Sequence, residues 1–332
     1  MYHLNGTLVG DVMGISEKPL RVVFMGTPAY AVPVLNSIVE SGHEIVGVFT
    51  RPDTRAGRGK QVVFSPVKHR AMQLGIKVFQ PNNLKGECVK QAFSSDLVPD
   101  IAIVAAYGLF LPESLLNVPP LKTLNIHPSL LPKYRGASPV ASAILNGDKE
   151  AGVSIMLIDD GVDTGPIIGQ KVTEIRSEET GQDLTQRLFE LGAYLLRENL
   201  PKWRQGSILP TPQDSEKASM TSRLTREQGE IEWRNSADYI SRQVRAFYPW
   251  PGTHTYWDEV QLKITEASVL RASFHFEPGK VIRLHNCVAV TTGSELLKLE
   301  KIQLSGRNVT GINDFVAGYN HFIGASLGSI PK

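Results

Sequence analysis

Residues 100–108 read DIAIVAAYG, an unbroken run of isoleucine, valine and alanine closed by a tyrosine and a glycine. A run this short, without polar alternation, suits a strand buried on both faces, which is what a parallel sheet with helices on either side provides. RVVFMG at 21–26 and EIVGVFT at 44–50 have the same character. Between these two lies a helical pattern from about residue 29 to 41, with Pro28 where the helix would begin and Gly42 where it would end. Strand, glycine-containing turn, helix, strand is the repeating unit of an α/β fold, so a Rossmann-like open, mostly parallel sheet is expected over residues 21–205.

Within that frame the stretch KTLNIHPSLLPKYRGASPV at 122–140 stands out. A further strand ends at Asn125 and His127, and Pro128 biases His127 toward extended backbone and marks the stop. Residues two apart share one face of a strand. Both side chains then sit at a strand's carboxyl end, where open α/β sheets place their ligands. Histidine can exchange a proton near neutral pH, and an asparagine amide can donate to a developing oxyanion. Taken alone, a histidine beside a proline is more often an ordinary loop or core residue, and the chain has eight histidines. Downstream, DDGVDTG brings Asp159, Asp160 and Asp163 between glycines. That pattern reads as a turn; it does not fit an EF-hand.

Other features narrow the function. GTP at 26–28 is not the G-x-G-x-x-G of a dinucleotide fold, and the second strand runs into Thr50 and Arg51 rather than an acidic ribose partner, which disfavours a dinucleotide cofactor. RPDTRAGRGK sets Arg51, Arg55, Arg58 and Lys60 against a single acid, the composition of a flexible positive loop suited to phosphate contacts or of a plain solvated connection. SPVKHRAMQLG predicts a helix capped by Ser65 with Pro66 at its first position, and 182–204 predicts a long amphipathic helix. Residues 206–222, rich in Ser, Pro and Thr, read as a linker. Beyond them, short alternating segments suggest a small OB-like β-barrel over 223–332, a type that often binds nucleic acid. Residues 1–20 lack periodicity and read as a disordered tail.

The formal net charge is only +2, so any nucleic-acid-binding face must be local. No apolar run approaches the length of a bilayer span. Cys88 and Cys287 make neither a metal cluster nor a disulfide framework, and free thiols in a reducing cytoplasmic setting are expected.

NIHPSLLPKYRG and DDGVDTGPII, together with MGTPAYAVPVL, RPDTRAGRGK, SPVK, AAYGLFLP and RAFYPWPGT in order, resemble the formyltransferases that use 10-formyltetrahydrofolate, most closely those acting on methionyl-tRNA. The resemblance runs from about residue 21 into the C-terminal part. It implies 10-formyltetrahydrofolate as formyl donor, initiator Met-tRNA as acceptor, no metal, and a monomer. It further implies Asn125, His127 and Asp163 as catalytic residues and Ser129, Leu130, Leu131 and Pro132 as a folate-binding segment. The loop carrying Arg51, Arg55, Arg58 and Lys60 corresponds to one that reaches the tRNA acceptor end, and the barrel to a tRNA-binding domain. A formyl-folate enzyme with water, a nucleotide-sugar amine or a glycinamide nucleotide as acceptor would use the same Asn, His and Asp. A dinucleotide-dependent dehydrogenase and a noncatalytic RNA-binding protein are the remaining alternatives.

Overall fold

The apolar runs become the middle of a seven-stranded sheet. The structure, a computed structural model, describes residues 18–56, 61–272 and 276–328, without the side chains of Arg55, Ala56 and Cys88. Most of the expected N-terminal tail, and with it Arg58 and Lys60, lies outside the described residues. β1 (Arg21–Gly26) leads through α1 (Val32–Glu40) to β2 (Glu44–Phe49); β3 (Thr54–Ala56) and β4 (Gln61–Val63) precede α2 (Pro66–Gln73) and β5 (Val78–Phe79). Then come α3 (Glu87–Gln91), β6 (Ile101–Ala105), α4 (Glu113–Leu116), β7 (Thr123–His127), β8 (Arg135–Gly136) and α5 (Pro139–Asn146). β9 (Glu150–Leu157), β10 (Ile167–Glu174) and α6 (Gly181–Arg204) complete this half.

The strand order is β10-β9-β7-β6-β1-β2-β5, parallel from β5 to β7, with β9 and β10 antiparallel at one edge. All five residues of β6 are buried, as its continuous apolar run requires. The order reverses between β1 and β6, which opens a crevice at their carboxyl ends. There Thr27 donates its hydroxyl to the Tyr107 carbonyl at 3.0 Å, tying the two strand ends together. Ser65 caps α2 by accepting from the Lys68 amide. α6 opens on a capping box of Thr180 and Asp183 and buries Leu184, Leu188, Leu195 and Leu196 along one face. Gly192 lets that helix lie directly on Ile126 and Val153, where a side chain would collide.

Two stretches are more ordered than their composition suggests. Part of the stretch 51–60 is paired: β3 and β4 run antiparallel, Thr54 opposite Val63 and Arg55 opposite Val62. Its single acid, Asp53, is bound by the Lys68 ammonium at 2.6 Å, which holds the carboxyl below its ordinary range. Residues 206–222 are not a free tether. Thr211 bridges to Ile167, and β11 (Met220–Thr221) pairs in parallel with β8.

The second half contains α7 (Ala237–Ala246), β12 (Thr253–Trp257), β13 (Val260–Leu270), β14 (Val281–Leu284), β15 (Cys287–Thr291), β16 (Leu296–Leu304), β17 (Thr310–Gly311) and α8 (Ile312–Gly318). Its sheet is antiparallel, ordered β12-β13-β16-β15-β14, with β17 beside β16. In β12 the alternation Thr253, Thr255, Trp257 points inward, as period 2 demands. Residues 324–328 bridge toward both edges, Gly328 to Tyr256 and Ser326 to Lys280.

The halves are joined by buried side chains. Val140 and Ile144 of α5, Leu184 and Leu188 of α6, and Ala246 and Phe247 at the end of α7 form one apolar cluster. Each fully buried side chain of the Leu or Ile size contributes about 1.5–3 kcal/mol. Arg245 donates to the Glu179 carbonyl and Arg242 to the Leu145 carbonyl, both at 3.0 Å. The Glu179 carboxylate is 4% exposed and takes two 2.7 Å hydrogen bonds from Arg187. Burial alone would raise this carboxyl, but the Arg187 donors and the Arg176 amide outweigh it and hold it below its ordinary value.

Candidate active site

Asn125 and His127 project from the same face of β7, and the loop between β9 and β10 folds back over them. Asp163 occupies that loop at φ 52°, a left-handed conformation that aspartate adopts more readily than most residues. Asp159 shapes the turn by accepting from the Gly161 amide and the Thr164 hydroxyl. Gly165 lies so close to the Leu157 carbonyl that a Cβ would overlap it.

Asp163 is the convergence point. Its Oδ1 accepts from Asn125 Nδ2 at 3.4 Å, and its Oδ2 accepts from the Gly136 amide at 2.8 Å and lies 3.6 Å from His127 Nδ1. His127 Nε2 is 3.0 Å from the Tyr134 carbonyl. A carbonyl only accepts, so Nε2 carries the hydrogen, and Nδ1 of the neutral ring turns a lone pair toward the carboxylate. That pairing becomes a hydrogen bond once a proton sits between the two groups. The arrangement is a ring with Nε2 against a carbonyl and Nδ1 facing a carboxylate. Both ring nitrogens are directed at protein partners, which leaves Asn125 as the amide donor with a hydrogen to spare.

His127 is nearly closed to water at 5% exposure, and Asp163 is partly buried at 19%. A charge that forms here is screened little. Tyr134, which supplies the carbonyl, is itself at φ 61°, and its hydroxyl donates to Asp148 while accepting from Asn146.

The predicted folate segment makes a tight turn beside the pair. Ser129 and Leu131 are buried, and Ser129 donates to the Lys133 carbonyl. Ser154 accepts from the Leu131 amide and donates to the Ser129 carbonyl, and Gln170 donates to the Leu131 carbonyl. Leu130 and Pro132 are the members that keep partial exposure. A cleft of about 390 Å³ opens alongside, lined in part by Ser129, Leu130, Lys133 and Tyr134. Of the basic residues, Arg51 lies at the end of β2 in the same carboxyl edge, its amide 3.4 Å from the Thr27 hydroxyl. The structure thus brings Asn125, His127 and Asp163 together, with Arg51 at the same carboxyl edge. Among the described residues no group of His, Cys, Asp and Glu is arranged to hold a metal ion, and no helix is long and apolar enough to cross a membrane.

Sequence reasoning passed over three partners: the Tyr134 carbonyl, the Gly136 amide and Gln213. The first two are backbone groups, invisible in residue identity. Tyr107, at the end of β6, is 2% exposed with a hydroxyl that has no hydrogen-bond partner among the described residues. Burial pushes its phenol up to about 12 against the opposing charge of Arg51. Because the folded chain keeps this proton longer than the unfolded one, stability from this group falls as pH rises from 10.0 to about 12. Tyr107→Phe removes an unpaired polar atom and is expected to leave the urea midpoint unchanged or raise stability by up to about 1 kcal/mol. A clear loss of stability would show that the hydroxyl is paired.

The family model described as Formyl transferase matches residues 20–200, and that of the Formyl transferase C-terminal domain matches residues 223–320. The methionyl-tRNA formyltransferase of Caldanaerobacter subterraneus subsp. tengcongensis is 40% identical over 301 residues, covering 91% of this chain and 97% of that protein. That of Roseiflexus castenholzii is 44% identical over 312 residues, 93% of this chain and 99% of the other. Among solved structures, HypX from Aquifex aeolicus in complex with tetrahydrofolic acid superposes with a TM-score of 0.64 at 15% identity, over 95% of this chain and 49% of that one. A sugar 3N-formyl transferase crystallised with dTDP and 5-N-formyl-THF gives 0.64 at 19% identity, over 88% and 100%. At that identity the two structures speak for the fold. With two-fifths or more of its residues shared along nearly the whole length of such relatives, the chain belongs to the methionyl-tRNA formyltransferase family.

Proposed function

We propose that this protein transfers the formyl group of 10-formyltetrahydrofolate to the α-amine of methionine esterified to initiator tRNA. The observation that carries the reading is the meeting of Asn125, His127 and Asp163 at the end of β7, in a chain matched to methionyl-tRNA formyltransferases over both halves.

Attack of the amine on the planar formyl carbon makes a tetrahedral centre with a negative oxygen and a positive nitrogen. Asn125 Nδ2 donates to that oxygen, and a protonated His127 adds positive charge beside it. Asp163 and His127 together take the proton from the attacking nitrogen and return it to N10 of the folate as the C–N10 bond breaks. The oxygen then reforms the carbonyl, the new C–N bond remains, and the pair ends in its starting protonation state. No bond to the enzyme forms. Most of the remaining rate comes from holding donor and acceptor in line.

The turn of Ser129, Leu130, Leu131 and Pro132 holds the folate. Leu130 and Pro132 offer apolar surface while the backbone around them supplies polar contacts. Arg51, Arg55, Arg58 and Lys60 bind the phosphates near the acceptor end, and the C-terminal half, a barrel of OB type, extends the contact along the tRNA. The enzyme works as a cytoplasmic monomer. Replacing Arg55 and Arg58 by alanine is expected to raise KM for tRNA and leave KM for folate unchanged. The salt slope of tRNA binding should fall by about one for each phosphate that the variant no longer neutralises. Unchanged tRNA affinity across a salt series would remove the hairpin from the interface.

The reaction is tested by following label from 10-formyltetrahydrofolate onto Met-charged initiator tRNA, with uncharged tRNA and free methionine as controls. Label on the charged tRNA alone is expected. Folate turnover without it would move the acceptor to water or a small amine.

A further inference from the structure

The segment between the two halves crosses the active site as a strap and touches both loops that surround the His127–Asp163 pair. Gln213 makes the tightest connection. Its Nε2 donates to the Asp163 carbonyl at 2.9 Å and the Gly165 carbonyl at 2.7 Å, and its Oε1 accepts from Arg135 Nε at 3.0 Å. One amide thus joins the loop that carries Asp163 to the loop that carries the Tyr134 carbonyl and the Gly136 amide. Six residues on, Ser219 accepts from the Tyr134 amide through its hydroxyl and from the Arg135 amide through its carbonyl. Thr221 donates to the Arg135 carbonyl, and its own carbonyl lies where any side chain at Gly136 would have to be. The groups that hold His127 and Asp163 from outside β7 are therefore anchored by the strap.

The chemistry of the bridge is specific to a primary amide. Two N–H groups serve two carbonyls while the oxygen serves a cation. A glutamate of the same shape keeps the contact to Arg135 but turns an acceptor toward two carbonyl oxygens, and a leucine supplies neither function.

We propose that Gln213 is a positioning residue for proton transfer: it sets Asp163 against His127 and makes the pair's geometry depend on the strap that leads into the C-terminal half. This rests on the reading that His127 and Asp163 carry the proton. A misplacement of about 1 Å at a reacting group can cost on the order of 100-fold.

The test compares Gln213→Leu and Gln213→Glu with His127→Ala and Asp163→Asn in the full chain, measuring kcat, KM for both substrates, the pH–rate profile, thermal unfolding, and the titration of the His127 ring by NMR. For the Gln213 variants the expected result is a kcat lower by about 10- to 100-fold with both KM values within about twofold. A displaced limb of the pH profile, a matching change in the His127 titration and a nearly unchanged melting temperature should accompany it. Wild-type kcat and His127 titration in folded Gln213→Leu, beside inactive His127 and Asp163 variants, would overturn the proposal and leave the site standing. Near-normal activity in the His127 and Asp163 variants would overturn the site reading, and the positioning role with it. An effect confined to KM or to stability would reduce Gln213 to a structural part.

Discussion

His127→Ala and Asp163→Asn should each lower kcat for formyl transfer by about 100- to 10,000-fold, the range that a positioned acid–base group supplies. The proteins should stay folded, because neither side chain belongs to the apolar core. The two losses should not add, since the groups share one proton: once the ring is gone, removing the carboxylate takes little more away. Asp163→Asn is the more informative change. It keeps the acceptor for the Gly136 amide through its oxygen but cannot hold the proton that closes the 3.6 Å gap to Nδ1. Steady-state kinetics on Met-charged tRNA, with circular dichroism as a folding control, decide the matter. Activity within about tenfold of wild type in both variants would place the chemistry elsewhere.

The second large effect is on stability. Glu179→Ala leaves the partly buried Arg187 guanidinium beside Thr173 and the Glu174 carbonyl with its counter-charge removed. Deleting one partner of a fully buried pair costs about 3–5 kcal/mol, and with Arg187 21% exposed the expected loss is about 1–3 kcal/mol. The loss should appear as a lower urea midpoint. Because the carboxyl is held below its ordinary value, its contribution is fully present above the unfolded value of 4.5 and fades as pH falls through the lower folded one. Wild type and Glu179→Ala should therefore converge in stability as the solution is acidified, and a gap that stayed constant to low pH would contradict the assignment.

Much of the architecture could be read from residues because burial dictates composition. A strand covered on both faces has to read like Ile101–Ala105, and the Ser65 hydroxyl before Pro66 leaves few other interpretations than a helix cap. That Asn125 and His127 share one face at the end of a strand could be read from spacing, whereas Asp163 was singled out only by resemblance. The strap was not. β8 and β11 are two residues each, too short for any periodicity, and their pairing spans 85 positions, as in Met220 opposite Arg135. Gln213 sits among Pro, Thr and Ser, where composition says only that no core is made. The hairpin is hidden for a similar reason: TRA and QVV are three residues apiece, and Val62 and Val63 stay exposed.

The apolar seam between α5, α6 and α7 also fixes a span. Because Val140, Ile144, Leu184, Leu188 and Phe247 pack into one buried cluster across the halves, the two cannot part without exposing that cluster to water. A ligand that touches both halves must match the spacing so set or bend to it. One of the wrong size forfeits the second contact and, with it, the gain in effective concentration that two linked contacts provide.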